Sequence, residues 1–354
     1  MRQAVLLRTK LLTVVVLLGL VAAGLSAYYG SSRRAPTTFA GPVETITLGT
    51  DANLLTAAVR IAARKGYFRD EGLQVTIKEF QTGRLALEAM LRAEPLDIVT
   101  VAVTPFVLKS FDRQDIRIVA TFVDSQDDDS VIANTDRGIG AVADLAGKRI
   151  GFPKGTSAHF FLEAVLVEAG LSPSQVAVVD IRPGDLPSAL ANQQVDAISI
   201  WEPFASRAQE LLKSRAVKLS PAGTHRATFN FVAMQDFTQG RQPAIRKFLK
   251  AIERANLFIG DNKEEARTIL AEELKLETAI IAKLMPKYNY RLFLDQLLVL
   301  DLEGQARWAV KSKLTDKTVP PNYLEFVFPD ALRATKPEAV TLVTPARPKA
   351  KENP

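Results

Sequence analysis

DLAGKRIGFPKGTSAHFFLEAVL, residues Asp144 to Leu166, is the stretch on which the reading of the fold turns. Arg149 to Phe152 is a short apolar run stopped by Pro153, and Ala158 to Ala169 carries apolar residues at helical spacing, so the stretch reads as strand, turn and helix. The turn Lys154-Gly155-Thr156-Ser157 sets a glycine and two hydroxyls where the first helical amides lack intrahelical partners. Such a helix start favours anions: Gly155 lets the backbone approach closely, and Thr156 or Ser157 either caps the helix or donates to a bound oxygen. Ligands of α/β sheets gather at strand ends of this kind.

The same alternation extends in both directions. Downstream come the strand Val176 to Asp180, a helix Leu186 to Asn192 and the strand Ala197 to Trp201. Upstream are the strand Thr45 to Leu48, a helix Leu54 to Lys65, the strand Leu73 to Phe80, a helix Arg84 to Arg92 and the strand Asp97 to Val101. Repeated strand and helix predict sheets covered by helices on both faces. After Phe229 to Met234 the pattern changes to amphipathic helices, Gln242 to Ile259, Lys263 to Glu273, Glu277 to Lys283 and Asp295 to Lys311, expected to pack back on the first lobe. The expected architecture is α/β with two lobes, 44–123 plus 234–329 and 124–233. Residues 330–354, rich in Pro, Lys, Ala and Glu, are expected to form a disordered tail.

With 354 residues the chain has room for two ordinary lobes and a tether. Leu11 to Tyr29 carries no charge and follows Arg2, Arg8 and Lys10, so residues 1–30 read as a signal anchor or signal peptide. The rest is expected outside the cytoplasm, in the periplasm, tethered to the inner membrane by that helix, with 31–43 as linker. The formal charge of +6 falls to +3 without those three residues, and no basic stripe remains to favour nucleic acid. There is no cysteine, so disulfides, thiol chemistry and a lipid-modified cysteine anchor are excluded.

Candidate ligand-binding residues follow from strand ends. Asp51 and Asn53 lie in the turn after the first strand, where each either caps the helix or contacts ligand; a free carboxylate there disfavours a strongly anionic ligand unless a cation or donor intervenes. In the turn Thr82-Gly83-Arg84, the guanidinium of Arg84 suits a sulfonate, carboxylate or phosphate. Thr104 follows the third strand. Trp201 and Glu202 end the strand of the second lobe, as a ring face and an acceptor. Gly155, Thr156 and Ser157 come from the opening stretch, and His159 in the first helical turn can reach the same place. His159 and His225 are the two histidines, too few for a zinc site, and no G-x-S-x-G elbow occurs. The acidic run Asp124 to Asp129 lacks the pattern of a calcium loop and reads as a solvated connection between lobes.

Four segments in order carry a resemblance: IAARKGYFRDEGLQVTI (Ile61 to Ile77), LDIVTVAVTPFV (Leu96 to Val107), the opening stretch, and VDAISIWEPF (Val195 to Phe204). Together they resemble the substrate-binding proteins of ABC importers for nitrate, sulfonates, taurine and thiamine-pyrimidine precursors, over roughly Thr45 to Leu324. The resemblance implies a type II periplasmic-binding fold in which the chain crosses twice between lobes and the ligand lies in the cleft. It places the Trp201-Glu202 segment at that cleft. It also implies a monomer that passes a small polar or anionic ligand, of the nitrate, sulfonate, taurine, bicarbonate or pyrimidine-precursor class, to an ABC permease and its ATPase, with no cofactor, metal or catalytic residue. Two alternatives stay open: a membrane-anchored sensor or adaptor using the same lobes, and an enzyme resembling the thiamine-pyrimidine synthases. The latter carry a cysteine-rich segment, which this chain lacks.

Overall fold

The computed structural model describes residues 41–220, 223 and 225–343. The apolar segment Leu11 to Tyr29, most of the spacer and residues 344–354 lie outside the described residues. Among the described residues no helix is long and apolar enough to cross a membrane.

Among the described residues eleven strands run β1 (Glu44–Asp51), β2 (Leu73–Phe80), β3 (Ile98–Ala102), β4 (Ile116–Ser125), β5 (Asp129–Asn134), β6 (Arg149–Phe152), β7 (Ala177–Asp180), β8 (Ala197–Trp201), β9 (Ala216–Lys218), β10 (Ala227–Met234) and β11 (Tyr288–Phe293). They form two sheets, ordered β11-β4-β10-β3-β1-β2 and β7-β6-β8-β5-β9. The helices are α1 (Ala57–Arg64), α2 (Tyr67–Asp70), α3 (Gly83–Leu91), α4 (Val103–Ser110), α5 (Ser157–Glu168), α6 (Leu186–Ala191), α7 (Phe204–Leu212), α8 (Gln235–Gly240), α9 (Gln242–Asp261), α10 (Lys263–Leu274), α11 (Thr278–Leu284), α12 (Gln296–Lys311) and α13 (Asp330–Thr335).

Each sheet grows from a parallel nucleus, β2-β1-β3 in the first lobe and β7-β6-β8 in the second. The two nuclei share a local device. Asp97, just before β3, accepts the Thr47 amide at 2.8 Å and returns its own amide to the Thr47 carbonyl. Asp196, just before β8, does the same with Arg149. Arg137 and Arg149 also grip Asp196, and although burial opposes it, these bonds bring its carboxyl down to about 2. β3 and β8, in the interior of the two sheets, are buried at all five residues, Thr100 and Ser199 included, so neither strand alternates between an apolar and a solvent-facing side.

β10 enters the first sheet antiparallel between β3 and β4, so the return crossing precedes Ala227. This corrects the expected boundary at residue 234, because the strand that carries the chain back already belongs to the first lobe. The crossings are therefore short, residues 126–128 and 219–226. The long α9 closes the face of the first sheet. Ile245, Phe248, Leu249, Ile252 and Ala255 are buried at helical spacing, and Phe248 stacks on Phe68 at 5.4 Å and meets Phe231 edge-on at 4.8 Å.

Two further expectations need correction. The chain from residue 330 to 343 is part of the fold. Ala331 and Leu332 of α13 are fully buried, α13 packs on α9, and Leu294 exchanges backbone hydrogen bonds with Ala339 and Thr341. Polar composition hid a few small apolar residues whose partners lie far away in sequence. The acidic run Asp124 to Asp129 is not a solvated connection either: Asp124, Asp128 and Asp129 are 4%, 1% and 6% exposed. The guanidinium Nε atoms of Arg226 and Arg291 hold Asp124 at 3.2 and 3.3 Å. Asp127 meets Lys218, and Lys287 at 2.9 Å, while Tyr288 donates to Asp128 at 2.7 Å. The run carries the first crossing between the sheets, and the charges of Asp124 and Asp127 are met by residues that only the folded chain brings near.

Candidate functional site

The cavity lies where the two lobes meet. Its first-lobe wall is built from the end of β1 and the turn after it (Asp51, Asn53), the start of α3 (Thr82, Gly83, Arg84), and Ala102, Pro105 and Phe229. From the second lobe come Thr156 and Ser157 at the start of α5 and Trp201 at the end of β8. The space they enclose is about 20 Å³ for the centres of water-sized molecules, room for roughly one or two waters.

Local chemistry explains the geometry. Thr82 caps α3 by accepting the Leu85 amide at 3.2 Å. Gly83 is required there, since a Cβ would stand 2.4 Å from the Thr100 carbonyl oxygen. That close approach aims the start of α3 along the end of β3. At α5 the arrangement differs: the Thr156 hydroxyl donates to the Pro153 carbonyl at 2.7 Å and no side chain caps the helix. The first amides of α5 are thus left for a ligand. Gly155 has φ +72°, and a Cβ there would lie 3.7 Å from Arg84 Cδ and 3.5 Å from Leu108 Cδ1, so this turn presses against the opposite lobe.

Three buried polar atoms of the lining have no partner among the described residues: Asp51 Oδ1, Asn53 Oδ1 and Arg84 Nε. Buried polar groups are nearly always paired, so two acceptors on one wall and a charged donor beside them describe what is to be bound. Asp51 Oδ2 accepts from Asn53 Nδ2 at 2.8 Å, and Arg84 reaches Glu88 at 2.9 Å. Burial raises the Asp51 carboxyl to about 6, against the pull of its own backbone amide, the Arg60 charge and the Asn53 and Gly83 amides. Behind Ser157, whose hydroxyl donates to Asp129 Oδ1 at 3.2 Å, burial lifts Asp129 to about 7, and its neighbour Asp128 stands well above the carboxylate range.

Of the sequence candidates, Asp51, Asn53, Gly83, Arg84, Thr156, Ser157 and Trp201 line the cavity. Gly155 sits beside it, shaping the turn. Three others turn elsewhere. The Thr104 hydroxyl donates to Gln305 Oε1 at 2.6 Å, away from the lining. Glu202 accepts the Ser206 amide at 2.9 Å and Lys287 Nζ at 2.8 Å, tying the end of β8 to the start of β11. His159 stacks on Phe152 at 4.8 Å, and its Nε2 lies 3.2 Å from Glu163. Glu163 in turn accepts from Trp308 Nε1 at 2.8 Å and Ser312 Oγ at 2.6 Å, joining α5 of the second lobe to the end of α12 on the first. Phe229 was outside the sequence candidates. It reaches the cavity because β10 places it opposite Ala102, a pairing for which the sequence offers no local signal.

Comparisons with known proteins agree with this architecture. The alkanesulfonate-binding protein SsuA from Xanthomonas axonopodis pv. citri, solved with MOPS, is similar to this chain at TM-score 0.71 and 22% identity, over 82% of this chain and all (100%) of that one. The periplasmic aliphatic sulphonate-binding protein SsuA of Escherichia coli follows at TM-score 0.70 and 21% identity, over 80% and 97%. The desulfurization enzyme DSZB shares the fold at TM-score 0.61 and 17% identity, so the fold alone does not separate binding from catalysis. In sequence, a provisionally named binding protein of Brucella abortus is 30% identical over 230 residues, 63% of this chain and 69% of the relative. A profile described as "NMT1/THI5 like" matches residues 54–266, which run from the turn after Asn53 through both crossings to α10. The fold is the mixed α/β fold of the periplasmic binding proteins, and the chain belongs to the NMT1/THI5-like family.

Proposed function

We propose that this chain is the extracytoplasmic solute-binding component of an ABC importer, holding one small ligand between its lobes and presenting the closed form to a permease and its ATPase. One observation carries the reading: an interlobe cavity whose unpartnered atoms are a carboxylate and an amide oxygen on one wall and a guanidinium N–H beside an uncapped helix start. That set suits a ligand with an anionic head, taken by Arg84 and the start of α5, and N–H donors of its own, taken by Asp51 and Asn53. An aminosulfonate the size of taurine meets both requirements. Among the relatives, the taurine-binding periplasmic protein of Escherichia coli is 23% identical over 52% of this chain and 57% of its own length. The lobes act without covalent chemistry, and the apolar segment Leu11 to Tyr29 serves as the inner-membrane tether.

A thermal-shift panel tests the reading, because a ligand that binds only the native state raises the midpoint. Taurine should give a saturable rise larger than ethanesulfonate, which lacks the amine, and nitrate and bicarbonate should give less. An equal or greater shift with ethanesulfonate would reject the role given to Asp51. No shift with any anion would reject the importer ligand class and favour the sensor reading.

A further inference from the structure

Outside the cleft, the first lobe holds a second and roomier cavity, about 430 Å³ for the centres of water-sized molecules, between the end of α9, the start of α10 and β11. Its volume falls in the usual range of small-molecule sites, roughly 300–1,000 Å³. Lys263, Arg267 and Arg291 line it, and no carboxylate does. Lys263 and Arg267 stand one turn apart on α10 and so share a face. Lys263 makes no ion pair among the described residues. Arg267 gives one N–H to Glu264 at 2.5 Å but leaves its buried Nε without a partner. Arg291 is tied to Asp124 and lies over the Phe293 ring at 4.2 Å.

Asn256 is the second, independent sign of a ligand. It lines the cavity, is only 7% exposed, and among the described residues neither its amide nitrogen nor its amide oxygen has a partner. A buried amide with both ends unmet is costly unless something in the cavity meets it. Apart from Asn289, whose amide nitrogen donates to Asp124 at 3.4 Å, the remaining wall is apolar in what it offers. Tyr288 and Tyr290 lie on the same side of β11, but their hydroxyls are already used, one donating to Asp128 at 2.7 Å and the other to the Leu54 carbonyl at 2.9 Å. Their rings, 6.0 Å apart, together with Ile259 and Met285, leave carbon surface.

We propose that this cavity is a second binding site, distinct from the cleft, for a small aromatic organic anion. Its acid group would be held by Lys263, Arg267 and the Asn256 amide, and its ring by Tyr288 and Tyr290. The test is a ¹⁹F NMR titration of 4-fluorobenzoate into the full-length chain in non-ionic detergent, with 4-fluorobenzylamine as the probe of opposite charge. Saturable broadening of the benzoate is expected, unaffected by the cleft variant Arg84→Ala and absent for the benzylamine. Lys263→Glu, on the exposed start of α10, and Asn256→Leu should each weaken it by about tenfold, the worth of one charge-assisted bond. The proposal is overturned by no saturable broadening, by binding that survives both Lys263→Glu and Asn256→Leu, by loss in Arg84→Ala, or by equal binding of the benzylamine.

Discussion

Asp51 combines burial, an unpartnered oxygen and a carboxyl raised to about 6, and these set a pH signature for the cleft. An amine-bearing ligand stabilises the ionised carboxylate, so its affinity should rise from about pH 5 to about pH 6.5 as the Asp51 proton leaves. Asp129, raised to about 7 behind Ser157 on the anion side, has the opposite effect: its ionisation repels the anionic head, and affinity should fall above about pH 7. Taurine affinity measured by calorimetry across this range should pass through a maximum, whereas ethanesulfonate should show only the fall. A flat taurine profile would remove Asp51 from the site. Folding without ligand has its own sign. Raised carboxyls keep protons that the unfolded chain has lost, so Asp51, Asp129 and Asp301 withdraw stability as pH climbs from about 4 to about 7. His225, lowered by burial to about 4, works the other way up to about pH 6.5, because there the unfolded chain binds the extra proton. At this scale the residues legible from sequence were those whose role is local, the turns 51–53, 82–84 and 155–157 at strand ends. Thr104, His159 and Glu202 sit in equally local positions, yet Gln305, Glu163 and Lys287 decide where they point, and two of those three partners are more than eighty residues away.

Elements followed the sequence wherever a single periodicity held. Strands β6 and β8 match the expected spans because they are short, almost wholly buried runs bounded by turns, and the start of α9 does because burial on one face repeats along it. The hinge strands were less visible. β4 and β5 flank an acidic run that reads as solvent-facing until Arg226, Tyr288 and Lys287 arrive from the far end of the chain. α13 shows the same limit in the other direction, since a short polar-looking segment owes its order to α9. Leu332, fully buried there, provides the check. Leu332→Ala should lower unfolding free energy by about 2–5 kcal/mol in urea titrations, the usual loss for a buried leucine. A change within about 0.5 kcal/mol, as for a surface site, would mean that the segment after residue 329 lies outside the cooperative fold.

For the whole molecule, the arrangement is that of two lobes already drawn together. Glu163 bridges to Trp308 and Ser312, Gly155 presses toward Arg84, and the cavity between them is barely larger than a water. Under the proposed function a ligand of several heavy atoms would enter by opening about the crossings between β4 and β5 and between β9 and β10, and be enclosed on return. Ligand contact with both lobes is what gives such a closure its driving force, since only differential affinity shifts the balance between open and closed forms. The most direct measurement is a calorimetric titration of taurine into the wild-type chain, Asp51→Asn from the first lobe and Ser157→Ala from the second. The account predicts one site per chain and a loss of about tenfold in affinity for each variant, the size of one good hydrogen bond. Taurine binding that is unchanged in both variants, or absent from the wild type, would contradict it.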